Sequence, residues 1–476
     1  MDILMVSAEL SPYARASETA DAVASLAKAL RQLGHEVTVA LPRYKSLESS
    51  GLLMARRLTP LALSSGAEVT VFDGQLPSGV KLVLFDAPVL FDRAGIFGED
   101  GQDYPDNAKR FGLLCEAAAA LLRQRAQLAT AFDILHVHDW PAALVPVLLR
   151  VLGPSVPSVL TIHDVTRQGI FPNKELDALG VPPELVDEAL KLGNKINVLK
   201  AGVSFSAAIT SVSSAYTNEL TSADRAGALA EVISGSGKPL IGIINGLDYG
   251  IYNPATDPAL VSRYDAEDTS NKARSKVALL RECNLDLDPA RPLLAVIGDA
   301  DKERGLDLAA AALPQLLKNP VSVVFAVQGR AKFIEKVANL AQNNPDVLCL
   351  VRDFTDAQRH RMLAAADVLL QTGRHEPSGA SAMAAQRYGA LPVAFATGGV
   401  HDVVVDCDSS FETGTGFLFD AMTQKELLGA ATRALSAYLS PAWPRLVRRV
   451  MRLDHNWDRP ARRYLQVYRQ TLGANA

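Results

Sequence analysis

Residues 368–399, VLLQTGRHEPSGASAMAAQRYGALPVAFATGG, carry the most information in this chain. An apolar run, a short turn, a segment rich in small residues, a second apolar run and a glycine pair follow one another, as in a strand–turn–helix–strand unit of a parallel sheet. Glu376 stands in the turn before the helix, where the first helical amides favour an anionic ligand. This layout is typical of a sugar-nucleotide site, with the carboxylate near the sugar and the amides facing the diphosphate.

The same alternation of apolar runs and helical patterns extends over the whole chain. It predicts an α/β protein with two Rossmann-like, doubly wound domains that face a central cleft. A turn-rich segment, residues 245–289, separates two series of elements. We therefore expect an N-terminal domain at 1–247 and a C-terminal domain at 248–457, with a C-terminal helix at 458–476 that returns to the first domain. The predicted strands are 3–7, 36–42, 81–86, 134–139, 158–163, 208–213, 292–298, 322–327, 347–352, 368–372 and 391–396, and the predicted helices are 20–33, 108–124, 306–317, 334–342, 356–365 and 379–388.

Length, charge and cysteine spacing exclude several classes of protein. A chain of 476 residues is longer than one hydrophobic core usually serves, so two domains are expected. A net charge of −4 gives no reason to expect a nucleic acid or an anionic membrane as partner. The four cysteines have no CxxC spacing, which argues against a zinc site or a disulfide framework and favours the cytoplasm. The first residues lack a signal-peptide pattern, and no apolar run is long enough to span a bilayer.

The loop after the first predicted strand, residues 7–21, contains no glycine. A dinucleotide-binding fold would place G-x-G-x-x-G here, so an NAD or FAD enzyme is disfavoured. Asp21 lies near the start of the next helix, where an acidic residue is favoured by the helix dipole. From local sequence alone, that structural role explains Asp21 better than ligand binding does.

Histidines mark the ends of two further strands. Alternation places His136 and His138 on one face, and a buried, hydrogen-bonded pair is the better interpretation because no further zinc ligand stands at a fixed spacing. His163 closes the next strand, where it either bonds a sugar hydroxyl or serves the structure alone. Asp299 and Asp301 form a D-x-D pattern, a weak metal signal that aspartates leading into a helix explain better.

Taken together, these motifs resemble those of bacterial glycogen synthases and plant starch synthases. The resemblance extends over nearly the whole chain. It rests on the following residues: Ser7-Ala8-Glu9 with Pro12, Tyr104-Pro105-Asp106-Asn107 with Arg110-Phe111, His138-Asp139-Trp140, Thr161-Ile162-His163, Gln168-Gly169, Asn245-Gly246 with Asp248, Gly305-Leu306-Asp307-Leu308, Glu376-Pro377 with Gly379, Tyr388-Gly389, Thr397-Gly398-Gly399 and Gly414-Thr415-Gly416-Phe417.

The resemblance implies a GT-B glycosyltransferase that moves glucose from ADP-glucose, less often UDP-glucose, to the non-reducing end of an α-1,4-glucan with retention. It implies that neither a metal nor a cofactor is needed. Glu376 would stabilise positive charge on the sugar ring, and His163 would bond and align the transferred glucose. The substrate-binding residues that it implies are Asp21, Arg15, Arg304, Gly379, Ala380, Ser381, Asn245, Thr397 and Gly398, with the backbone amides after Gly379 around the distal phosphate.

The chain departs from this family at positions that should face the phosphates. The usual Lys-x-Gly-Gly-Leu loop is Arg15-Ala16-Ser17-Glu18-Thr19, so a flexible backbone approach is lost and Glu18 adds negative charge. The usual Arg and Lys of the diphosphate clamp are Asp299 and Arg304. Arg304 keeps the charge, although arginine and lysine are not interchangeable, whereas Asp299 reverses it. The cations that could substitute for it are Lys302, Arg330 and Arg374.

Other departures lie close to Glu376 and in the turn after residue 327. Ser378 stands where the family has cysteine, Ala380 replaces the usual leucine, and the family's Gly-x-Gly-Asp turn is Val327-Gln328-Gly329-Arg330. Three hypotheses therefore stand at this point. The chain is a working glycogen synthase, a catalytically weak or inactive synthase-like paralogue that binds glucan or a partner in glycogen metabolism, or a related transferase with another sugar nucleotide.

Overall fold

The structure is a computed structural model that describes residues 1–99, 101–300, 302–329 and 331–473. It contains two compact units. The first comprises Met1–Gly246 and the residues from Trp457 onward, and the second comprises Leu247–Asn456. Among the described residues, no helix is both long and apolar enough to cross a membrane.

The first unit is built on a mixed sheet whose centre is parallel. Its strands, in order across the sheet, are Leu240–Gly242, Ala208–Ser211, Ser158–Ile162, Ile134–His138, Asp2–Val6, Glu36–Pro42, Lys81–Asp86, Glu68–Gln75 and Met54–Arg56, with Leu61–Ala62 beside Glu68–Gln75. The central strands are buried along their length except for the partly exposed Asp2, because helices cover both faces. The three strands between residues 54 and 75 pair antiparallel, an edge that the sequence patterns did not predict.

Helices and short strands complete the first unit. The α-helices are Glu18–Gln32, Lys45–Glu48, Pro88–Phe91, Asn107–Gln127, Asp139–Ala142, Val145–Leu152, Val186–Ala189, Val198–Phe205, Ser214–Leu220, Ala223–Ala226, Leu229–Gly235 and Asp458–Gly473, and the 3₁₀ turns are Asn173–Glu175, Asp177–Leu179 and Pro183–Leu185. The remaining strands form a hairpin of Gly98–Glu99 with Gln102–Asp103 and a small antiparallel sheet of Ile170–Phe171, Lys195–Asn197 and Lys191–Leu192.

The second unit is a six-stranded parallel sheet. Its strands, in order across the sheet, are Leu348–Arg352, Ser322–Gln328, Leu293–Asp299, Val368–Gln371, Leu391–Phe395 and Phe417–Phe419. Its helices are Lys272–Glu282, Leu306–Leu316, Lys332–Asn343, Asp356–Ala365, Ala380–Arg387, Val400–Val403, Gln424–Tyr438 and Trp443–Met451. Each predicted strand and helix of this half is present, with ends shifted by two residues at most. The prediction of two doubly wound α/β domains is therefore confirmed.

Strand order creates one point in each unit where the chain reverses its direction across the sheet. In the first unit, the chain proceeds from Asp2–Val6 to one side and returns to the other side through Ile134–His138. In the second unit, Leu293–Asp299 and Val368–Gln371 flank the corresponding point. The loops that leave such neighbouring strands separate and leave a crevice, which is where ligands bind in open α/β sheets.

Candidate active site

A buried carboxylate organises the glycine-free loop after the first strand. Glu9 is 3% exposed and accepts hydrogen bonds from the backbone amides of Ala16 at 2.7 Å and Ser17 at 2.6 Å and from the Ser17 hydroxyl at 2.8 Å. Ser17 then caps the helix that starts at Glu18, because its hydroxyl accepts from the Thr19 amide. Burial raises the pKa of Glu9, and the three donors oppose that shift. The loop is thus held by Glu9 instead of by the positive-φ turns that glycines would provide.

Two of the predicted substrate-binding residues of this loop pair with each other. The Arg15 guanidinium donates to Asp21 Oδ2 from Nε at 3.1 Å and from Nη2 at 2.9 Å. Asp21 lies in the first turn of the helix Glu18–Gln32, as expected for an acidic residue at the positive end of a helix dipole. Both side chains are about one-third exposed, so a charged ligand can reach either.

At the reversal point of the first sheet, Asp139 connects three elements. Its Oδ1 accepts from the His163 amide at 2.7 Å, and its Oδ2 accepts from the Thr19 hydroxyl at 3.1 Å. Its φ of +53° lies in the left-handed region, which a non-glycine residue occupies only when its surroundings compensate the strain. Burial raises the pKa of Asp139 to about 7. Neither Asp139 nor Glu9 was predicted to have a role; the available signal was their place within three residues of the end of a buried strand.

The histidine cluster is more extensive than the sequence predicted. His136 and His138 lie on one face with ring centroids 4.1 Å apart, as alternation predicts. His163 joins them, because its Nε2 lies 3.0 Å from His138 Nδ1. Burial lowers the pKa of His163 and of His136 to about 3, so both rings are neutral at physiological pH. The expectation of a fully hydrogen-bonded pair is wrong in one detail: His138 Nε2 is buried without a partner.

Asn245 lies at the end of the first unit in a buried position. It is 7% exposed, and its backbone amide donates to the Val212 carbonyl at 3.2 Å. Its side-chain oxygen is buried without a hydrogen-bond partner. This is the kind of unsatisfied acceptor that a bound hydroxyl or amine would satisfy.

In the second unit, glycines allow the Glu376 turn to pack tightly against the neighbouring loop. The Gly399 amide donates to the carbonyls of Glu376 at 2.9 Å and Pro377 at 3.0 Å. A Cβ at Gly398 would lie 2.4 Å from the Glu376 carbonyl oxygen, and one at Gly373 would lie 2.4 Å from Glu376 Oε1. The packing therefore fixes the backbone of Glu376 and leaves it 6% exposed.

Arg304 and Glu376 meet at the reversal point of the second sheet. Arg304 Nη1 donates to Glu376 Oε1 at 3.1 Å, and the arginine is less buried than the carboxylate. The approach depends on Gly305, whose φ is +64° and whose added Cβ would lie 1.7 Å from the Thr372 carbonyl oxygen. The sequence layout predicted Glu376 for the site and the family resemblance implied Arg304, but neither predicted that the two residues form an ion pair.

The cations that could substitute for the family's arginine at position 299 lie in different surroundings. Arg374 donates to both carboxylate oxygens of Asp307, at 2.8 Å and 2.9 Å, so its charge is committed to the start of the helix Leu306–Leu316. The Arg374 guanidinium lowers the pKa of Asp307. Lys302 is exposed, and its carbonyl accepts from Arg374. Arg330 and Asp301 lie outside the described residues.

Asp299 is an exposed residue at the end of its strand. It is the last residue of Leu293–Asp299, where it pairs in register with Gln328, so the prediction that it leads directly into a helix is wrong. The helix that follows begins at Leu306, with Gly305 at its cap. Asp299 thus lies at the carboxyl end of its strand, and Arg304 lies in the loop that follows the same strand.

The helix after Glu376 begins where the sequence predicted phosphate-binding amides. It spans Ala380–Arg387, and Gly379 caps it with a φ of +67°. The Ala380 amide donates to the Ser378 hydroxyl at 3.2 Å, and a hydroxyl is a stronger acceptor than the thiol that the family has at this position. Ser381 is the second residue of this helix, and Thr397 and Gly398 belong to the loop that packs on Glu376. A phosphate at Ala380 would have to displace the Ser378 hydroxyl.

Comparisons with known proteins agree with this geometry. The starch synthase catalytic domain family matches residues 2–235, and the glycosyl transferases group 1 family matches residues 284–442. The chain is 37% identical to a glycogen synthase of Anaeromyxobacter dehalogenans over 480 residues, which is 98% of this chain and 99% of the relative. It is 37% identical to a glycogen synthase of Thioalkalivibrio sulfidiphilus over 484 residues, which is 99% and 100% of the two chains.

Solved structures give the same result. The catalytic domain of starch synthase IV from Arabidopsis thaliana, bound to ADP and acarbose, superposes with a TM-score of 0.90 at 27% identity over 99% of both chains. A sucrose-phosphate synthase from Thermosynechococcus elongatus has the same fold, with a TM-score of 0.62 at 17% identity over 99% of both chains. The chain is therefore a glycosyltransferase with two Rossmann-like domains of the GT-B type, and it belongs to the glycogen synthase and starch synthase family.

Proposed function

We propose that the chain is a cytoplasmic glycogen synthase that transfers glucose from ADP-glucose to the non-reducing end of an α-1,4-glucan with retention. In this reaction the bond between the anomeric carbon and the diphosphate breaks, and ADP leaves with the bonding electrons. The glucan hydroxyl forms the new bond to the same carbon and releases its proton. The observation that carries the proposal is the meeting of Glu376 and Arg304 at the reversal point of the second sheet.

Glu376 is the proposed electrostatic stabiliser of the sugar. Its buried position and the glycine contacts around its turn hold the carboxylate in place before substrate arrives. Preorganised charge of this kind lowers a barrier without reorganisation at the moment of reaction. His163 is the proposed partner of a sugar hydroxyl, and Asp21, Arg15 and Asn245 are proposed substrate contacts.

Arg304 is the proposed binding group for the leaving diphosphate. Its guanidinium is next to Glu376 and about one-third exposed, so a phosphate can attract it away from the carboxylate. Donor binding would then weaken the ion pair and free the glutamate for the sugar. The amides of Ala380 and Ser381 and the loop at Thr397 and Gly398 are proposed to contact the same donor.

The donor can be identified by transfer of labelled glucose to glycogen, from ADP-glucose and from UDP-glucose, at matched concentrations. We expect faster incorporation from ADP-glucose, since the similar Arabidopsis structure carries ADP. Faster incorporation from UDP-glucose would overturn the donor assignment and keep the reaction class. Incorporation no greater than that of the Glu376→Ala variant from either donor would overturn the proposed activity and favour the inactive paralogue.

Asp299→Arg is expected to raise turnover roughly tenfold, because a cation at this strand end adds attraction for leaving-group charge where an anion now repels it. Asp299 is exposed, so an arginine fits without disturbing the core. Initial rates at saturating donor measure the effect. Asp346→Arg makes the same charge change just before the strand Leu348–Arg352. It lies at the amino ends of the parallel strands, whereas Asp299 lies at their carboxyl ends, so it should leave turnover unchanged. A fall in turnover of the Asp299 variant would show that the site is built around the aspartate.

A further inference from the structure

His138 contacts the candidate sugar-binding histidine from a neighbouring strand. Strands Ile134–His138 and Ser158–Ile162 are parallel, and His138 is in register with Thr161. Since His163 lies two residues beyond Thr161, on the same side of the sheet, the imidazoles of His138 and His163 meet edge to edge. The Nδ1–Nε2 distance of 3.0 Å is that of a hydrogen bond between the two rings.

A network of hydrogen bonds holds the imidazole of His136, which packs on His138. Tyr468 OH lies 2.7 Å from His136 Nδ1, and His136 Nε2 lies 2.6 Å from Thr161 Oγ1. Thr161 in turn lies 2.6 Å from Thr210 Oγ1, and the Thr210 hydroxyl donates to the Leu160 carbonyl. Thr161 also lies 3.5 Å from the Tyr464 hydroxyl. His136 is thereby held by hydroxyl groups at both ring nitrogens, with its ring packed on His138.

The unpartnered nitrogen of His138 indicates which way the proton lies between His138 and His163. If His163 donated, His138 would carry its own proton on Nε2, and that N–H would be buried with no acceptor. If His138 donates from Nδ1, its Nε2 is a buried lone pair, which is tolerated more often than an orphaned N–H. His163 Nε2 is then the acceptor, and the single proton of this neutral ring is on Nδ1.

We propose that His138 is a positioning residue for glucosyl transfer: its Nδ1–H bond holds His163 in the tautomer that offers Nδ1–H as a donor to a hydroxyl oxygen of the sugar. The inference rests on the proposed role of His163 as a sugar-binding residue. Among the described residues, the titratable groups in contact with the His138 ring include His136 on its own strand and His163 after the next. His138 itself is 2% exposed and acts only through His163.

The test uses three substitutions of His138 in the full chain. His138→Leu removes the donor, His138→Asn places an amide N–H where Nδ1 stands, and His138→Gln places one near Nε2. We expect His138→Leu to lower kcat roughly 10- to 100-fold with little change in the KM for glycogen, because the alignment of His163 is lost. His138→Asn should stay within about threefold of the parent, and His138→Gln should resemble His138→Leu. Equal losses for Asn and Leu would overturn the proposal.

A double-mutant cycle separates this proposal from the function on which it rests. If His138 acts through His163, His138→Leu should have little further effect on kcat in a His163→Ala background. An undiminished loss in that background would overturn the positioning role while leaving His163 as a sugar-binding residue. A His163→Ala variant with parental kcat and KM would instead overturn the proposed role of His163. Thermal unfolding of each variant shows whether a loss of kcat accompanies loss of the fold.

Discussion

Replacing Glu376 by alanine is expected to lower the rate of glucosyl transfer by at least roughly 10²–10³-fold, the cost of losing one preorganised electrostatic stabiliser. The carboxylate is 6% exposed and held in place by the packing of its own turn on Gly398 and Gly399. The measurement is incorporation of labelled glucose into glycogen under single-turnover conditions, which separate chemistry from product release.

Two further variants test whether the charge of Glu376, and not the shape of its side chain, is the essential property. Glu376→Gln keeps the shape of the side chain and loses its charge, so it should fall nearly as far as the alanine variant if charge is the essential property. Glu335→Gln makes the same chemical change on the exposed surface of the helix Lys332–Asn343 and should retain the parental rate. A Glu376→Gln variant with more than about one-tenth of the parental rate would contradict an electrostatic role. Parental activity in Glu376→Ala would remove Glu376 from the proposed mechanism altogether.

Asp367→Ala is expected to destabilise the second unit by about 3–5 kcal/mol, the usual cost of removing one partner of a buried ion pair. Asp367 Oδ2 accepts from Lys276 Nζ at 2.6 Å and from the Leu293 amide at 2.8 Å, and the two side chains are 10% and 5% exposed. Removal would leave a buried ammonium near the Pro289 carbonyl and the Tyr438 hydroxyl, with no carboxylate beside it.

Hydrogen exchange of peptides from Leu293–Asp299 and Val368–Gln371 measures this effect locally, which suits a chain of two units that need not unfold together. Glu412→Ala breaks the pair between Arg445 and Glu412, whose side chains are about 60% exposed, and should cost less than about 1 kcal/mol. Equal protection in the Asp367 and Glu412 variants would show that the buried pair contributes no more than the exposed one.

Element type and order could be predicted from the sequence because they depend on local patterns. The alternation of apolar runs placed five strands of the second unit to within two residues and missed the edge strand Phe417–Phe419, and the helix Asp356–Ala365 was predicted without error. The edge strands between residues 54 and 75 escaped prediction, because their antiparallel pairing comes from tertiary contacts that a period of two does not specify. Tyr464 and Tyr468 could be placed on a C-terminal helix from the sequence. Their contacts with Thr161 and His136 could not be predicted, because these contacts join residues that are far apart along the chain.

The candidate site also has features that could be predicted from sequence and features that could not. The family, and residues such as Glu376 and His163 that follow strand ends, could be predicted from sequence alone, because these are properties of short segments read in order. Arg304 followed only from the resemblance to that family. The three-dimensional fold was needed to show which strands are neighbours, and therefore which loops share a reversal point. It also decided the pairings of Arg304 with Glu376, of His138 with His163 and of Ser378 with Ala380. Such pairings depend on ångström-scale loop geometry, which residue spacing along the chain does not encode.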